Sequence, residues 1–489
     1  MASEKYKIMS NVGWRFGERL ISQGVTFLLT IILARLLMPS EYGLIAMIHV
    51  FIYIANVLLV SGFNTSLIQK KDADATDFST IFYCTLLVSF LIYGIVWFGA
   101  PLIASFYGMP ELCKLTRVYG LSLIIMSYQT IQQAWVARHM VFKKSFYATT
   151  VGAVLSGVLG IIMAYCGFGV WSLVAQYLSN IIFTMLTMMT VVDWKPQLLF
   201  SWERAKSLMN YGSKIMISSL VTAIYQQVRQ LLIGKFYAPA DLALYNRGRH
   251  MPEMVRSNVD GTLMSVLFPA ISNHSDDLQR VKQLLRRSIK TCTYVTFFCL
   301  TLMAVSAKPI VNLLLTAKWI DCVPYMQIMC IAVMIDSIGV FNLQALKAIG
   351  KSDEVLKLEI YKRPLFLIVV IISVKISVMA VALTSILNSL YAISVNATPT
   401  KRHIGYLHRE QVRDLLPAIG LSLAMSAATL PLLWLPMSDI GIMILQVIVG
   451  ISVYLSLSIA FRVQAFDDIK AIFIKLLHKK TKSGNSTVI

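Results

Sequence analysis

The chain has 489 residues, 57% of them hydrophobic and 14% charged, with a mean hydropathy of +0.69. A soluble globular protein carries about 45–50% apolar and about 25% charged residues, so a water-soluble fold is excluded. The net charge of +20 has no soluble basic domain to sit on, which excludes a nucleic-acid-binding module; basic loops beside an anionic leaflet account for it.

Stretches of about 20 apolar residues, enough to cross a bilayer core, recur from end to end. They predict an all-α integral membrane protein with about fourteen spans. In chain order these are residues 13–37, 42–66, 78–103, 114–137, 145–167, 169–191, 207–234, 241–270, 287–316, 325–348, 358–375, 377–398, 413–435 and 440–461. Span 241–270 is rich in polar groups. Lys308 and Pro309 are placed to cut 287–316 into a span and an interfacial turn. Basic residues beside membrane spans stay in the cytoplasm. With the N-terminus inside, the even-numbered connections carry Lys70 and Lys71; Arg138, Lys143 and Lys144; Lys195, Arg204 and Lys206; Arg280, Lys282, Arg286 and Arg287; Lys347, Lys351 and Lys357; and Lys401, Arg402 and Arg413. The odd ones hold far fewer: Lys114, Lys235, Lys308, Lys318 and Lys375. This alternation predicts a multi-pass protein with both termini cytoplasmic. The polar opening MASEKYKIMS lacks the apolar region and cleavage site of a secretory signal.

One passage occurs twice, 200 residues apart: ILARLLMPSEYGL at 32–44 and LIGKFYAPADLAL at 232–244. In each, a small residue and a base (Ala34-Arg35, Gly234-Lys235) precede a proline (Pro39, Pro239). A small residue and a carboxylate then follow (Ser40-Glu41, Ala240-Asp241). A helix-end signal repeated between hydrophobic segments indicates a duplicated bundle, an arrangement found in secondary transporters. An even number of spans per repeat gives both halves one orientation, related by an axis along the membrane normal.

The seven cysteines are scattered, with no C-x-x-C spacing and no accompanying histidine cluster. They read as small membrane hydrophobes rather than metal ligands or a disulfide framework. No P-loop is present, connections are short, and no cofactor is expected. Asp72-Ala73-Asp74 reads as a solvated turn rather than a metal-binding pair.

Charges within a bilayer usually face a bundle interior or a wet cavity. The first span aligns Arg15, Glu18, Arg19, Ser22, Gln23 and Thr26 on one stripe, and the seventh aligns Lys214, Ser218, Thr222, Tyr225, Gln226 and Arg229. The eighth places Tyr245, Arg249, Glu253, Arg256 and Asp260 in a narrow arc, with Arg249–Glu253 and Arg256–Asp260 spaced as i, i+4 ion pairs. The second span offers His49, Tyr53, Asn56 and Asn64; the fourth Gln129, Gln132 and Gln133; and the tenth Asp336 in mid-span, with Gln344 and Lys347 on a similar face nearer the cytoplasm. These stripes are expected to face a shared cavity. Guanidinium groups there bind phosphate oxygens bidentately, and Tyr, Gln and Asn suit sugar rings, so a cargo with a phosphate-bearing head and a glycan fits. The substrate-facing candidates are Arg15, Arg19, Arg229, Tyr225, Gln226, Tyr245, Arg249 and Arg256. Glu253, Asp260 and Asp336 are ion-coupling candidates.

The opening NVGWRFGERLISQGVTFLLTIILARLLMPSEYGLIAM (11–47) and the segment ALYNRGRHMPEMVRSNVDGTLMSVLFPAIS (243–272) resemble the Wzx-type polysaccharide flippases. These form the polysaccharide transporter branch of the multidrug/oligosaccharidyl-lipid/polysaccharide exporter superfamily, and the chain looks closest to the colanic acid exporter type. The resemblance implies two six-helix lobes about a cavity: an N-lobe at 1–200 and a C-lobe at 201–404. Two accessory helices at 405–465 and a basic cytoplasmic tail at 466–489 would follow. It also implies that a non-enzymatic carrier in the bacterial inner membrane moves an undecaprenyl-diphosphate-linked oligosaccharide repeat unit to the periplasmic leaflet by alternating access. Polymerase and chain-length components of the same pathway are the implied partners. Two rivals make different demands. A drug antiporter of the superfamily would call for acidic and aromatic stripes. A membrane glycan polymerase or ligase would call for a long periplasmic loop bearing catalytic side chains.

Overall fold

The computed structural model describes residues 24–61, 67, 70 and 72–471, with backbone alone at 209–211, 214 and 266. Helices joined by short connections make up the described chain, and no β-strand occurs among the described residues. In chain order they are α1 (Gly24–Leu36), α2 (Pro39–Val60), α3 (Ala75–Tyr107), α4 (Glu111–Gly120), α5 (Ser122–His139), α6 (Phe142–Tyr165), α7 (Val170–Val191) and α8 (Trp202–Phe236). There follow α9 (Pro239–Ser272), α10 (Leu278–Val305), α11 (Ala307–Leu315), α12 (Val323–Ala348), α13 (Ser352–Val374), α14 (Val378–Ile404), α15 (His408–Thr429), α16 (Asp439–Ala460) and α17 (464–471).

Nine helical segments among the described residues are long and apolar enough to cross a membrane. Helices α8, α9 and α13 are as long but more charged, and the first two carry the polar stripes. The outer surface is that of a protein bathed in lipid. On α3, Leu87, Leu91, Ile95, Phe98 and Leu102 share one face, and Phe98 is 80% exposed. Such a continuous apolar stripe is a liability in water and a normal boundary in a bilayer. The chain is a multi-pass membrane protein.

The described chain divides into two compact units, one ending at Ala243 and one beginning at Leu244. The lobe boundary expected at 200/201 is one of sequence repeat. The compact unit runs further because α8 packs against α2 and α3. Two spans differ from expectation. Span 114–137 is two helices, α4 and α5, with Leu121 between them. Here Gly120 lets the chain approach α3, where an added Cβ would lie 3.3 Å from Tyr93 and Val96. Span 287–316 is divided at Ser306 into α10 and α11, as Lys308 and Pro309 indicated.

The repeated passage is a helix stop and restart. In the first copy Leu37 N–H closes α1 on the Leu33 carbonyl, and in the second Tyr237 N–H closes α8 on that of Ile233, both at 2.9 Å. The chain then restarts at proline, whose missing N–H is no loss in a first turn. The carboxylate at the third helical position reaches back to the preceding N–H, Met38 to Glu41 Oε2 at 2.7 Å and Ala238 to Asp241 Oδ2 at 3.2 Å. The two turns also meet: a Cβ on Gly43 would lie 1.8 Å from the Pro239 carbonyl oxygen.

Small residues allow α6 and α7 to pack closely in the first unit. Gly152, Ser156 and Gly160 line the face of α6 that meets α7, a small-xxx-small seam. A Cβ on Gly152 would sit 2.0 Å from Thr184 Oγ1, and one on Gly160 2.7 Å from Gln176 Cβ. Asn180 Nδ2 donates to Ser156 Oγ across the seam at 3.2 Å. At the basic-loop end, Phe82 meets Tyr128 and Trp194 edge-on, with centroids 5.4 and 6.1 Å apart. An ionic latch closes the same end. Asp77, fully buried, accepts from Lys70 on both oxygens at 2.7 Å. Arg204 NH1 lies 2.6 Å from Asp74 Oδ1 and 3.5 Å from Asp77 Oδ1. Asp74 caps α3, accepting from Asp77 N–H at 2.9 Å. The Arg204 hydrogen bond is the main reason its carboxyl is pulled down to about 2.

Candidate functional site

The charged arc of α9 lies in the second unit. Arg249 NH2 stands 3.3 Å from Glu253 Oε1, so the i, i+4 spacing is a realised ion pair. Arg256 is the hub. One terminal nitrogen, NH1, lies 3.6 Å from Asp260 Oδ2 and 3.2 Å from Asp336 Oδ2 on α12; the other, NH2, is 4.0 Å from Glu253 Oε1. Its Nε is buried without a hydrogen-bond acceptor. A single guanidinium thus gathers carboxylates from two helices.

Burial grades the members of this arc. The Asp260 side chain is 9% exposed, whereas those of Glu253 and Asp336 are 38% and 42% exposed. Asp260 is held from behind by neutral donors: Cys292 Sγ on α10 at 3.3 Å, and the Ser337 hydroxyl on α12. A buried carboxylate is tolerated when paired and hydrogen-bonded, and Asp260 has both kinds of partner.

A neighbouring cluster joins α12, α13 and α14. Lys362 Nζ donates to Glu359 Oε1 at 2.7 Å and to Asn396 Oδ1 at 2.9 Å, and Asn396 Nδ2 donates to the Gly339 carbonyl at 3.3 Å. Arg363 Nε donates to Glu359 Oε2 at 3.3 Å. Sequence reasoning passed over Lys362, Glu359, Asn396, Ser337 and Cys292. The signal available was Glu359 with Lys362 and Arg363 within one span; the other three are neutral and gain a role only through packing.

The remaining expected positions separate by unit. Tyr225, Gln226 and Arg229 lie on α8 in the first unit, where the Tyr53 hydroxyl of α2 donates to Gln226 Oε1 at 3.5 Å. Arg229 and Tyr225 are half-buried and Gln226 is exposed. Tyr245 departs from expectation. It is fully buried, its ring edge-on to Tyr325 with centroids 6.2 Å apart. It lies one turn before Arg249 on the same face, yet packs between α9 and α12. Of the fourth span's glutamines, Gln132 is fully buried and Gln133 is exposed, so they do not share one face. Arg15, Glu18, Arg19, Ser22, Gln23 and Asn64 lie outside the described residues, as does the side chain of Lys214. Among the described residues, no group of three or more His, Cys, Asp or Glu is placed to hold a metal ion.

This arrangement can bind an anion through Arg249 and Arg256, provided the anion displaces carboxylates that already occupy them. It also offers cation or proton sites at whatever carboxylate is released. No nucleophile–base pair of the kind used in covalent catalysis was found in the arc.

Known proteins agree with a transport fold. The chain is 23% identical over 326 residues to the succinoglycan biosynthesis transport protein ExoT of Rhizobium meliloti (strain 1021), covering 66% of each chain, or just under two thirds of that relative. It is 20% identical over 429 residues to the lipopolysaccharide biosynthesis protein WzxC of Escherichia coli (strain K12), covering 86% of each. Its fold matches the solved structure of the lipid II flippase MurJ in an inward closed conformation with a TM-score of 0.76. That match is at 14% identity and covers 93% of this chain and 99% of that one. The family model described as polysaccharide biosynthesis protein matches residues 32–324. With more than half its length matched, the chain belongs to the polysaccharide biosynthesis protein family.

Proposed function

We propose that this protein is a flippase for a lipid-linked oligosaccharide. It carries a repeat unit on undecaprenyl diphosphate from the cytoplasmic to the periplasmic leaflet of the bacterial inner membrane, for exopolysaccharide, O-antigen or capsule assembly. Family membership and relatives named for succinoglycan transport and lipopolysaccharide biosynthesis support the cargo class. The observation that carries the reading is the α9 arc, where Arg249 and Arg256 stand in a helix otherwise bound for the membrane. The diphosphate is the strongly anionic group that such repeat units share, and guanidinium forks match its oxygens.

In this reading the lobes at 1–200 and 201–404 rock in alternating access, with the helices at 405–465 as accessories and both termini cytoplasmic. Arg229, Tyr225 and Gln226 contribute from α8, and Arg15 and Arg19 from the first span. Cargo drawn to Arg256 releases Asp260 and Asp336, which then take up a proton or cation. Polymerase and chain-length components receive the product.

The test is export in a host deleted for the gene. Arg249→Ala and Arg256→Ala are expected to leave lipid-linked repeat units on the cytoplasmic leaflet at normal protein levels, and Arg256→Lys to restore part of the flux. Removing Arg256 alone strands a buried Asp260, a loss of about 3–5 kcal/mol for a buried pair. The double variant Arg256→Gln/Asp260→Asn therefore separates the roles. Full export from that variant would show the arginine to be structural and would sink the assignment.

A further inference from the structure

We propose that the corner of the second unit where α10, α15 and the chain leaving α16 converge is a binding site for an anionic phospholipid headgroup. A cavity of about 520 Å³ opens there, bordered by Lys290, Arg413, Asp414 and Arg462 on its polar side and by Leu416, Pro417 and Phe461 on its apolar side. A second cavity of about 480 Å³ adjoins it along α10, sharing Lys290 and Gln464 and adding Arg280, Arg286 and Arg287.

The charges in this corner do not cancel. Asp414 accepts from Arg286 Nε at 2.7 Å and lies 3.2 Å from Lys290 Nζ. The buried Tyr406 hydroxyl donates to it at 2.9 Å. Glu410 takes Lys282 at 2.8 Å, and Asp468 takes Arg287 at 2.7 Å. Asp414, Glu410 and Asp468 are thus already engaged. Arg280, Arg413 and Arg462 have no carboxylate partner among the described residues. Three cations therefore face outward around a preformed hollow.

The apolar side continues the site along the membrane. Val412, Leu416 and Leu423 follow one face of α15 and are 57%, 56% and 66% exposed, and Phe461 is 73% exposed at the cavity mouth. A ligand with an anionic head and acyl chains meets both halves. Basic groups close to a membrane surface attract anionic headgroups. Phospholipid is the solvent at this outer surface, so even a weak site there is filled by mass action. This commits the site to a two-chain phospholipid of the bilayer rather than to the carrier lipid.

The test uses the full chain, purified and offered phosphatidylglycerol and phosphatidylcholine in equal amounts, with retained lipid counted by native mass spectrometry. The wild type is expected to retain phosphatidylglycerol selectively. Arg413→Gln/Arg462→Gln should lower that selectivity about 30-fold, the combined weight of two basic groups near an anionic headgroup. In phosphatidylcholine alone the double variant should unfold at the wild-type temperature, because neither arginine has an ion pair to lose. If it fails to fold, Arg280→Gln serves as the second variant, with a smaller loss expected. Unchanged selectivity in a folded variant would overturn the proposal. So would displacement of phosphatidylglycerol by equimolar undecaprenyl diphosphate.

Discussion

Gly43 sits where the two repeated turns touch, and adding a single methyl group there gives a sharp test of that contact. A Cβ on Gly43 would lie 1.8 Å from the Pro239 carbonyl oxygen, 2.2 Å from its carbon and 2.7 Å from Cα. Ordinary contact begins at 3.4 Å, so the backbones must part by more than an ångström. No rotamer change relieves this, because all three atoms are main chain. Overpacking of this kind costs about 1–3 kcal/mol, and a main-chain clash belongs at the upper end. For a unit of roughly this size each kcal/mol shifts the melting temperature by about 2–4 °C, so Gly43→Ala should melt about 6–12 °C lower. Gly94→Ala on α3 is the control, since nothing lies within 4 Å of its added Cβ. It replaces a poor helix former with the best one, worth about 1 kcal/mol, and should hold or raise the melting temperature. The assay is thermal unfolding of both variants in one detergent, followed by intrinsic fluorescence. If Gly43→Ala melts with the wild type, the approach of α2 to Pro239 is not as described and the reasoning fails.

Other expectations concern charge and topology. Asp77→Asn should lower the melting temperature of the first unit, by less than the loss of a fully buried pair, because Lys70 and Arg204 are left partly exposed and Arg204 keeps Asp74; unchanged urea or thermal resistance would argue against the latch. Asp74 is held at about 2, below its ordinary value, so its stabilising contribution is present above about pH 4. That contribution is lost as pH falls through 2, and Asp74→Asn should therefore flatten the difference in melting temperature between pH 5 and pH 2.5. Cysteine labelling in cells should place positions 70, 143, 204, 282, 351, 402 and 480 inside and 108, 238 and 437 outside. Finding 282 and 351 on opposite sides would break the proposed orientation.

What could be read from the chain alone was whatever depends on neighbours in sequence. The apolar runs gave the helices because a bilayer demands them. Arg249–Glu253 and Arg256–Asp260 were readable because a helix makes i, i+4 residues touch. The proline–carboxylate turns were readable for the same reason, since a cap needs only three residues. Asp74 was passed over as solvated turn, although Asp74-Ala75-Thr76-Asp77 has capping-box spacing. The partner of Asp336 lies 80 positions away on another helix, at Arg256. Ser337 and Cys292 carry no charge to draw attention, and they matter because packing aims them at Asp260. Tyr245 shares a stripe with Arg249 and yet points into a helix contact, because one face of α9 serves both packing and charge. The break at Leu121 needed knowledge of α3, against which Gly120 is pressed.

The uneven distribution of charge bears on biogenesis. The turn between α1 and α2 is complete once residue 41 has been synthesised, as its donor and acceptor lie within three positions. Helix α9 is less independent: Arg256 pairs with Asp260 in its own helix but finds Asp336 after α12 is made, as Lys362 of α13 finds Asn396 after α14. Until then the arc has only its pairs within one helix, and charged groups at mid-bilayer are costly even so. Release of α9 into lipid is accordingly expected to wait for α12, a delay of more than 60 residues of synthesis. A chain truncated after residue 275 should leave α9 accessible to protease or to aqueous labelling, whereas one truncated after residue 405 should protect it. Full protection of the shorter chain would mean that α9 enters the bilayer without its ionic partners.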